Sequence, residues 1–124
     1  GPVYGEKLRE IGITTVEELL ETCKSKKGRI EVAEKTGIEE KLILTWTNHA
    51  DLFRIQGIAS QFADLLEEAG VDTVKELRNR NAENLYAKLQ EVNEEKNLVR
   101  RLPSLSQVED MIKEAGKLEP MVTY

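Results

Sequence analysis

The chain of 124 residues is 40% hydrophobic and 33% charged, with a formal net charge of −5. That size suits one soluble domain, because domains commonly run to roughly 100–200 residues and a unit half as long has a marginal core. No apolar run approaches the roughly 20 residues that cross a bilayer, and the acidic balance, concentrated in residues 59–124, argues against a general nucleic-acid binder while leaving room for local basic patches.

In chain order, the first element is a helix with Leu8 and Ile11 on one face, ended by Gly12. Thr15-x-x-Glu18 then forms a capping box, in which hydroxyl and carboxylate satisfy the first free amides of a second helix with Val16, Leu19 and Leu20 on its apolar face. Lys24 to Gly28 reads as a polar, basic loop. Arg29 to Thr36 and Glu39 to about Arg54 read as helices divided at Gly37. Leu42, Ile43, Trp46, Ala50 and Phe53 recur at three- and four-residue steps, which buries one stripe of the longer helix.

The segment Arg9 to Leu19 (REIGITTVEEL) then returns 58 positions later as Glu67 to Leu77 (EEAGVDTVKEL). The chain therefore reads as two copies of one helical unit sharing a core. In the second copy Leu65, Leu66 and Ala69 precede Gly70, and Thr73-x-x-Glu76 is again a capping box before Val74 and Leu77. A helix from Asn81 to about Asn93 follows, with Leu85, Leu89 and Val92 on one face, before Pro103 interrupts the chain. Ser104-x-x-Gln107 caps a last helix to about Ala115, with Leu105, Val108, Met111 and Ile112 inward. No segment alternates as a strand does, and the tail from Leu118 to Tyr124 contains Pro120 and is expected to run irregularly over the surface.

Between the copies, LFRIQGIASQFADLLEEAG (Leu52 to Gly70) has the pattern of a helix-hairpin-helix. Gly57 allows a turn too tight for a side chain, Ile58 plugs the gap between helices and Ala63 lets them approach closely. Amides at such a helix N-terminus can hold a phosphate oxygen. Here Ala59 stands where a second glycine is usual, and Ser60 and Gln61 replace the lysine often found there. Aligning the copies sets Gly1 opposite Ala59, Pro2 opposite Ser60 and Tyr4 opposite Phe62. The sequence thus opens inside the first hairpin, and a preceding helix and a glycine matching Gly57 are expected upstream in a longer natural protein.

Taken whole, GPVYGEKLREIGITTVEELLE, AEKTGIEEKLILTWTNHADLFRIQGI and VNEEKNLVRRLPSLSQVEDMIKEAGKL resemble a bacterial domain-of-unknown-function family of tandem helix-hairpin-helix units. The resemblance implies an all-α, SAM-like bundle of two fused helix-hairpin-helix repeats. We expect a single domain over 1–124, with repeat one at 1–58, repeat two at 59–117 and the tail at 118–124. It implies little biochemistry. A weaker local pattern, Ala33, Gly37, Ile38, Ile43 and Trp46, has helix-turn-helix spacing with Glu40 to His49 as recognition helix. Its expected exposed residues, Glu39, Glu40, Thr45, Thr47, Asn48 and His49, bring only Lys41 as a cation, so a tight structural corner is the better reading.

One histidine, one cysteine and no GxGxxG, Walker, HExxH or paired-cysteine pattern leave no recognisable reaction centre, metal set or cofactor cradle, so no enzyme, cofactor, metal or small-molecule substrate is expected. His49 reads as a surface or half-buried residue, Cys23 as a small buried apolar one, and Tyr4, Trp46, Phe53, Phe62 and Tyr86 as core. A lone thiol fits a cytoplasmic setting. The favoured role is a protein-binding or scaffolding module, with Gly57 and Ile58 shaping its site. The alternative is weak, sequence-independent DNA binding through the hairpin Gly57, Ile58, Ala59 and Ser60 with Arg54, aided by Lys24, Lys26, Lys27, Arg29, Arg78, Arg80, Arg100 and Arg101. The tail, with Met121, Val122 and Tyr124, discriminates: ordered on its own body it is structural, and on a neighbour it is a docking strand.

Overall fold

Most helix starts fall where a side chain caps the first free amides. The computed structural model describes residues 2–124, with Pro2 by its backbone alone, so the alignment of Gly1 with Ala59 lies outside the described residues. Among the described residues the chain is all-α, with eight helices and no strand: α1 (Pro2–Glu10), α2 (Val16–Cys23), α3 (Lys26–Thr36), α4 (Glu40–Leu52), α5 (Ser60–Glu68), α6 (Val74–Arg78), α7 (Ala82–Lys96) and α8 (Leu105–Lys117).

The repeated segment forms the same joint twice. After α1, Ile13 N–H donates to Leu8 C=O at 2.9 Å and Gly12 N–H to Arg9 C=O at 3.0 Å. After α5, Val71 N–H donates to Leu66 C=O at 2.8 Å and Gly70 N–H to Glu67 C=O at 3.0 Å. Both are Schellman ends, which need a left-handed residue, and Gly12 and Gly70 supply it at φ +89° and +92°. Three residues later a threonine caps the next helix. Thr15 accepts from Glu18 N–H at 3.0 Å while the Glu18 carboxylate accepts from Thr15 N–H at 3.1 Å, completing the box. In the second copy only the threonine half forms, through Glu76 N–H to Thr73 Oγ1 at 3.4 Å. The box at Ser104 and Gln107 is complete.

Two boundaries and one buried face depart from the sequence reading. The loop expected at Lys24 to Gly28 is shorter, because Ser25 caps α3 by accepting from Gly28 N–H at 3.1 Å, which places Lys26, Lys27 and Gly28 in the helix. Helix α7 runs on to Lys96, ended by Asn97 in the left-handed region at φ 54°. Within α4, Thr47 and Asn48 are buried rather than exposed, and Thr47 returns its hydroxyl to Ile43 C=O at 2.7 Å. A helix buried on that side has little left to read DNA with.

The chain divides into two compact units, residues up to Asp51 with Met121–Tyr124, and Leu52–Pro120. Each unit buries its own apolar side chains. In the first, Ile13, Cys23, Val32, Ile38 and Ile43 form one cluster, against which Leu8, Leu19 and Trp46 pack. Tyr4, expected in the core, is 40% exposed and meets Trp46 edge-tilted at 5.3 Å between centroids. In the second unit Ile55, Ile58, Phe62, Ala63, Leu65, Leu66, Val71, Val74, Leu77, Leu85, Leu89, Val108 and Ala115 form one cluster, over which α8 lies close to α6 and α7. Trp46, Phe53 and Tyr86 are only partly buried.

The capping box makes a pH prediction. Hydrogen bonds from the Thr14 side chain and backbone, and from Thr15, hold the Glu18 carboxyl below its ordinary 4.5. A carboxylate depressed in the folded state adds stability above its unfolded value, and that part is lost as pH falls through the folded one. We expect wild type to exceed Glu18→Gln in urea-unfolding stability at about pH 7, and the gap to close by about pH 3. A gap independent of pH contradicts this assignment.

Candidate functional site

The hairpin at Gly57 is built from two turns. Ile55 N–H donates to Leu52 C=O at 3.1 Å and Ile58 N–H to Ile55 C=O at 3.2 Å, so Gly57 is the third residue of a tight turn, at φ +93°. That position of a type II turn requires positive φ. Ile58 then points into the second unit's core, 6% exposed, and Ala63 is fully buried. Ala59 precedes α5 without any side-chain cap, and Ala59, Ser60 and Gln61 are exposed.

Beside Gly57 lies an open groove in the second unit. One part is lined by Gln56, Gly57, Gln107, Asp110, Met111 and Glu114. The adjoining part shares Gly57, Gln107 and Met111 and adds Phe62, Val99, Arg101, Leu102 and Pro103. Its floor is therefore apolar, with carboxylates at one end and a guanidinium at the other. The hairpin amide of Gln56, a candidate anion donor, already donates to the Glu114 carboxylate over a long 3.4 Å. The missed lining residues sit at helical spacing: Gln107, Asp110, Met111 and Glu114 share one face of α8. That spacing marks a face in the sequence but not the hairpin it meets.

The candidate basic residues separate by what they already hold. Arg80 donates to Gly70 C=O at 2.7 Å, bracing the joint after α5, and Arg78 to Gly116 C=O at 3.3 Å at the end of α8. Arg54 is half-buried and has a partner within the chain. Lys24 pairs with Glu21 at 2.8 Å. Lys26, Lys27, Arg100 and Arg101 are exposed. Arg100 shares a depression with Gln61, Asn97, Leu98 and Val99 near the start of α5.

Arg29 overturns its expected role. Rather than offering a surface cation, it is 1% exposed. Nη1 donates to Cys23 C=O at 2.9 Å and to Lys24 C=O at 3.2 Å, and Nη2 donates to Thr123 C=O at 2.6 Å. Nε makes no hydrogen bond, and a carboxylate oxygen of Glu40 lies 4.0 Å from it. Because α3 begins at Lys26, Arg29 falls one turn inside the helix and faces these carbonyls. The tail is thus ordered on its own body, with Val122 buried and Thr123 N–H donating to Lys24 C=O at 2.8 Å.

Among the described residues no group of His, Cys, Asp and Glu is placed to hold a metal ion, and no helix is long and apolar enough to cross a membrane. Burial pushes the Cys23 thiol above its ordinary value, only partly offset by a hydrogen bond with Thr47 and the charge of Arg29. The family described as Domain of unknown function (DUF4332) matches residues 1–118, and the chain belongs to it. No curated protein and no solved structure matches the chain.

Two substitutions check these assignments by denaturant unfolding. A left-handed backbone costs a residue with a Cβ roughly 1–2 kcal/mol, and an added Cβ at Gly57 meets Met111 Cε at 3.5 Å, an ordinary contact. Gly57→Ala is therefore expected to lower stability by about that amount, with an unchanged denaturant slope. Arg29→Ala is expected to cost at least about 2 kcal/mol through its stranded carbonyls, whereas Lys26→Ala and Lys27→Ala each stay within about 0.5 kcal/mol. Equal effects at the three positions contradict the buried role of Arg29.

Proposed function

We propose that this chain is a non-enzymatic module of tandem helix-hairpin-helix units that binds another protein through the groove beside Gly57. The ligand is a segment with an apolar side chain for the floor at Phe62, Leu102 and Met111, and a lysine or arginine for Asp110 and Glu114. One observation carries the reading: the carboxylate of Glu114 already takes the hairpin amide of Gln56, and Asp110 stands beside it. A phosphate approaching that side meets negative charge, while a cationic side chain meets complementary charge.

The helix-hairpin-helix part is supported by positive φ at Gly57, burial of Ile58 and Ala63, and the duplicated glycine joint. The absence of a catalytic role is supported by the burial of the Cys23 thiol and its raised pKa, since the thiolate is the nucleophile. The same reading places the chain in the cytoplasm, whose reducing conditions suit a lone thiol.

A second reading rests on a different observation. The first turn of α5 lacks a side-chain cap, and Arg100 shares a depression with Gln61 of that turn. Helix amides and a guanidinium together favour a phosphate oxygen, which would give weak DNA binding without sequence preference.

Selection of a displayed peptide library on the full chain separates the two. Enriched peptides are expected to combine an apolar anchor with a cation. Asp110→Lys with Glu114→Lys should weaken them about tenfold, roughly 1.4 kcal/mol, and Met111→Asp should weaken them further. Anisotropy titration of labelled duplex DNA between about 50 and 200 mM salt tests the rival. Steeply salt-dependent binding that Arg100→Glu removes, with no peptide response to the α8 changes, replaces the protein reading with the DNA one.

A further inference from the structure

Residues 121–124 are held in the first unit as a peptide ligand is held. Their backbone is gripped from two sides, since Thr123 N–H donates to Lys24 C=O at 2.8 Å while Arg29 Nη2 donates to Thr123 C=O at 2.6 Å. Their side chains are sorted by environment. Val122 is buried with Leu20 of α2 and Ala50 of α4, and Met121, Leu19 and Leu44 pack against that cluster. The ring of Tyr124 lies 6.0 Å from Arg29 Cζ, within reach of a cation–π contact.

The seat has a structural origin in the divergence of the two copies. In the second unit α8 lies closely along α6, whereas in the first α2 packs most closely on α3 and reaches α4 through side chains such as Cys23 and Thr47. Beside that contact Leu20 of α2 and Ala50 of α4 meet the tail. Arg29 is what makes the seat polar at one point: its guanidinium is buried, is fixed from behind by Cys23 and Lys24 carbonyls, and directs one remaining N–H at the incoming backbone.

We infer that this seat is a binding site for an extended apolar-Val-Thr-aromatic segment, and that residues 121–124 of a second copy fill it whenever the chain's own tail is displaced. The site is independent of the groove beside Gly57. Main-chain hydrogen bonds supply affinity for any extended backbone, and the pocket at Val122 supplies selectivity. The tail carries no regular secondary structure to hold it from within, so it belongs to the part of the fold that opens locally. Tethering favours the chain's own tail through an effective concentration on the order of mM, and identical segments exchange between copies at little cost.

The test uses the full chain carrying Val122→Asp and Thr123→Pro, which removes the buried methyls and the N–H donor of the tail. The probe is a labelled peptide of residues 119–124, Glu-Pro-Met-Val-Thr-Tyr. The variant is expected to bind it saturably, at least about tenfold more tightly than wild type, whose tethered tail competes. The peptide carrying the same two changes should bind at least about tenfold more weakly. A variant that keeps its helical circular dichroism and fails to distinguish the two peptides overturns the inference. Should the variant unfold, amide exchange of wild type decides. Thr123 exchanging at least about tenfold faster than Thr47 supports a detachable tail, and equal rates overturn it.

Discussion

The joint that ends one helix on a left-handed glycine and starts the next on a threonine governs the rest of this structure. At Gly12 and again at Gly70 it closes the last turn through two backbone bonds, reverses the chain and leaves an apolar residue, Ile13 or Val71, buried directly after the glycine. Free carbonyls at a helix end must find donors somewhere, and here the joint supplies them locally. The direction of α2 against α1, and of α6 against α5, follows from that local chemistry. Arg80 strengthens the second joint by donating to the carbonyl of Gly70, which the first copy has no arginine to do at the matching position, Thr22.

Beyond the joint the copies diverge, and the divergence makes the groove of the second unit and the tail seat of the first. In the second unit α8 comes down on α6 and α7, bringing Met111 and Glu114 to the hairpin and forming the groove. In the first unit α2 and α4 have their apolar faces joined by Val122 and Met121. A buried guanidinium then becomes tolerable, because three carbonyl contacts offset its loss of water. The same side chain that looks like a phosphate ligand in the sequence is a tie between helix, loop and tail.

Charge tells a consistent story at the candidate interface. A nucleic-acid surface needs cations free to displace counterions, and in this chain Arg29, Arg78 and Arg80 donate to its own carbonyls. Glu114 and Asp110 stand at the hairpin where a phosphate would approach. The open apolar floor and its oppositely charged ends support the proposed protein segment, whereas Arg100 near the start of α5 is the arrangement behind the rival anion reading.

The sequence by itself determined the helices, the duplicated glycine joint, the complete caps at Thr15 and Ser104 and the turn at Gly57, because each depends on residues within a few positions of one another. It misjudged the start of α3, which Ser25 caps ahead of the expected start at Arg29, and that shift moved Arg29 from the helix start to one turn inside it. It also expected a full box at Thr73, where only the threonine half formed. The tertiary structure alone decided which of the cationic residues are spent on carbonyls, which face of α8 meets the hairpin, that Thr47 and Asn48 are buried, and where Val122 docks. Those outcomes join residues as far apart as Arg29 and Thr123 or Gln56 and Glu114. Helical periodicity says which residues share a face, but the partner of that face is set by packing between segments distant in sequence.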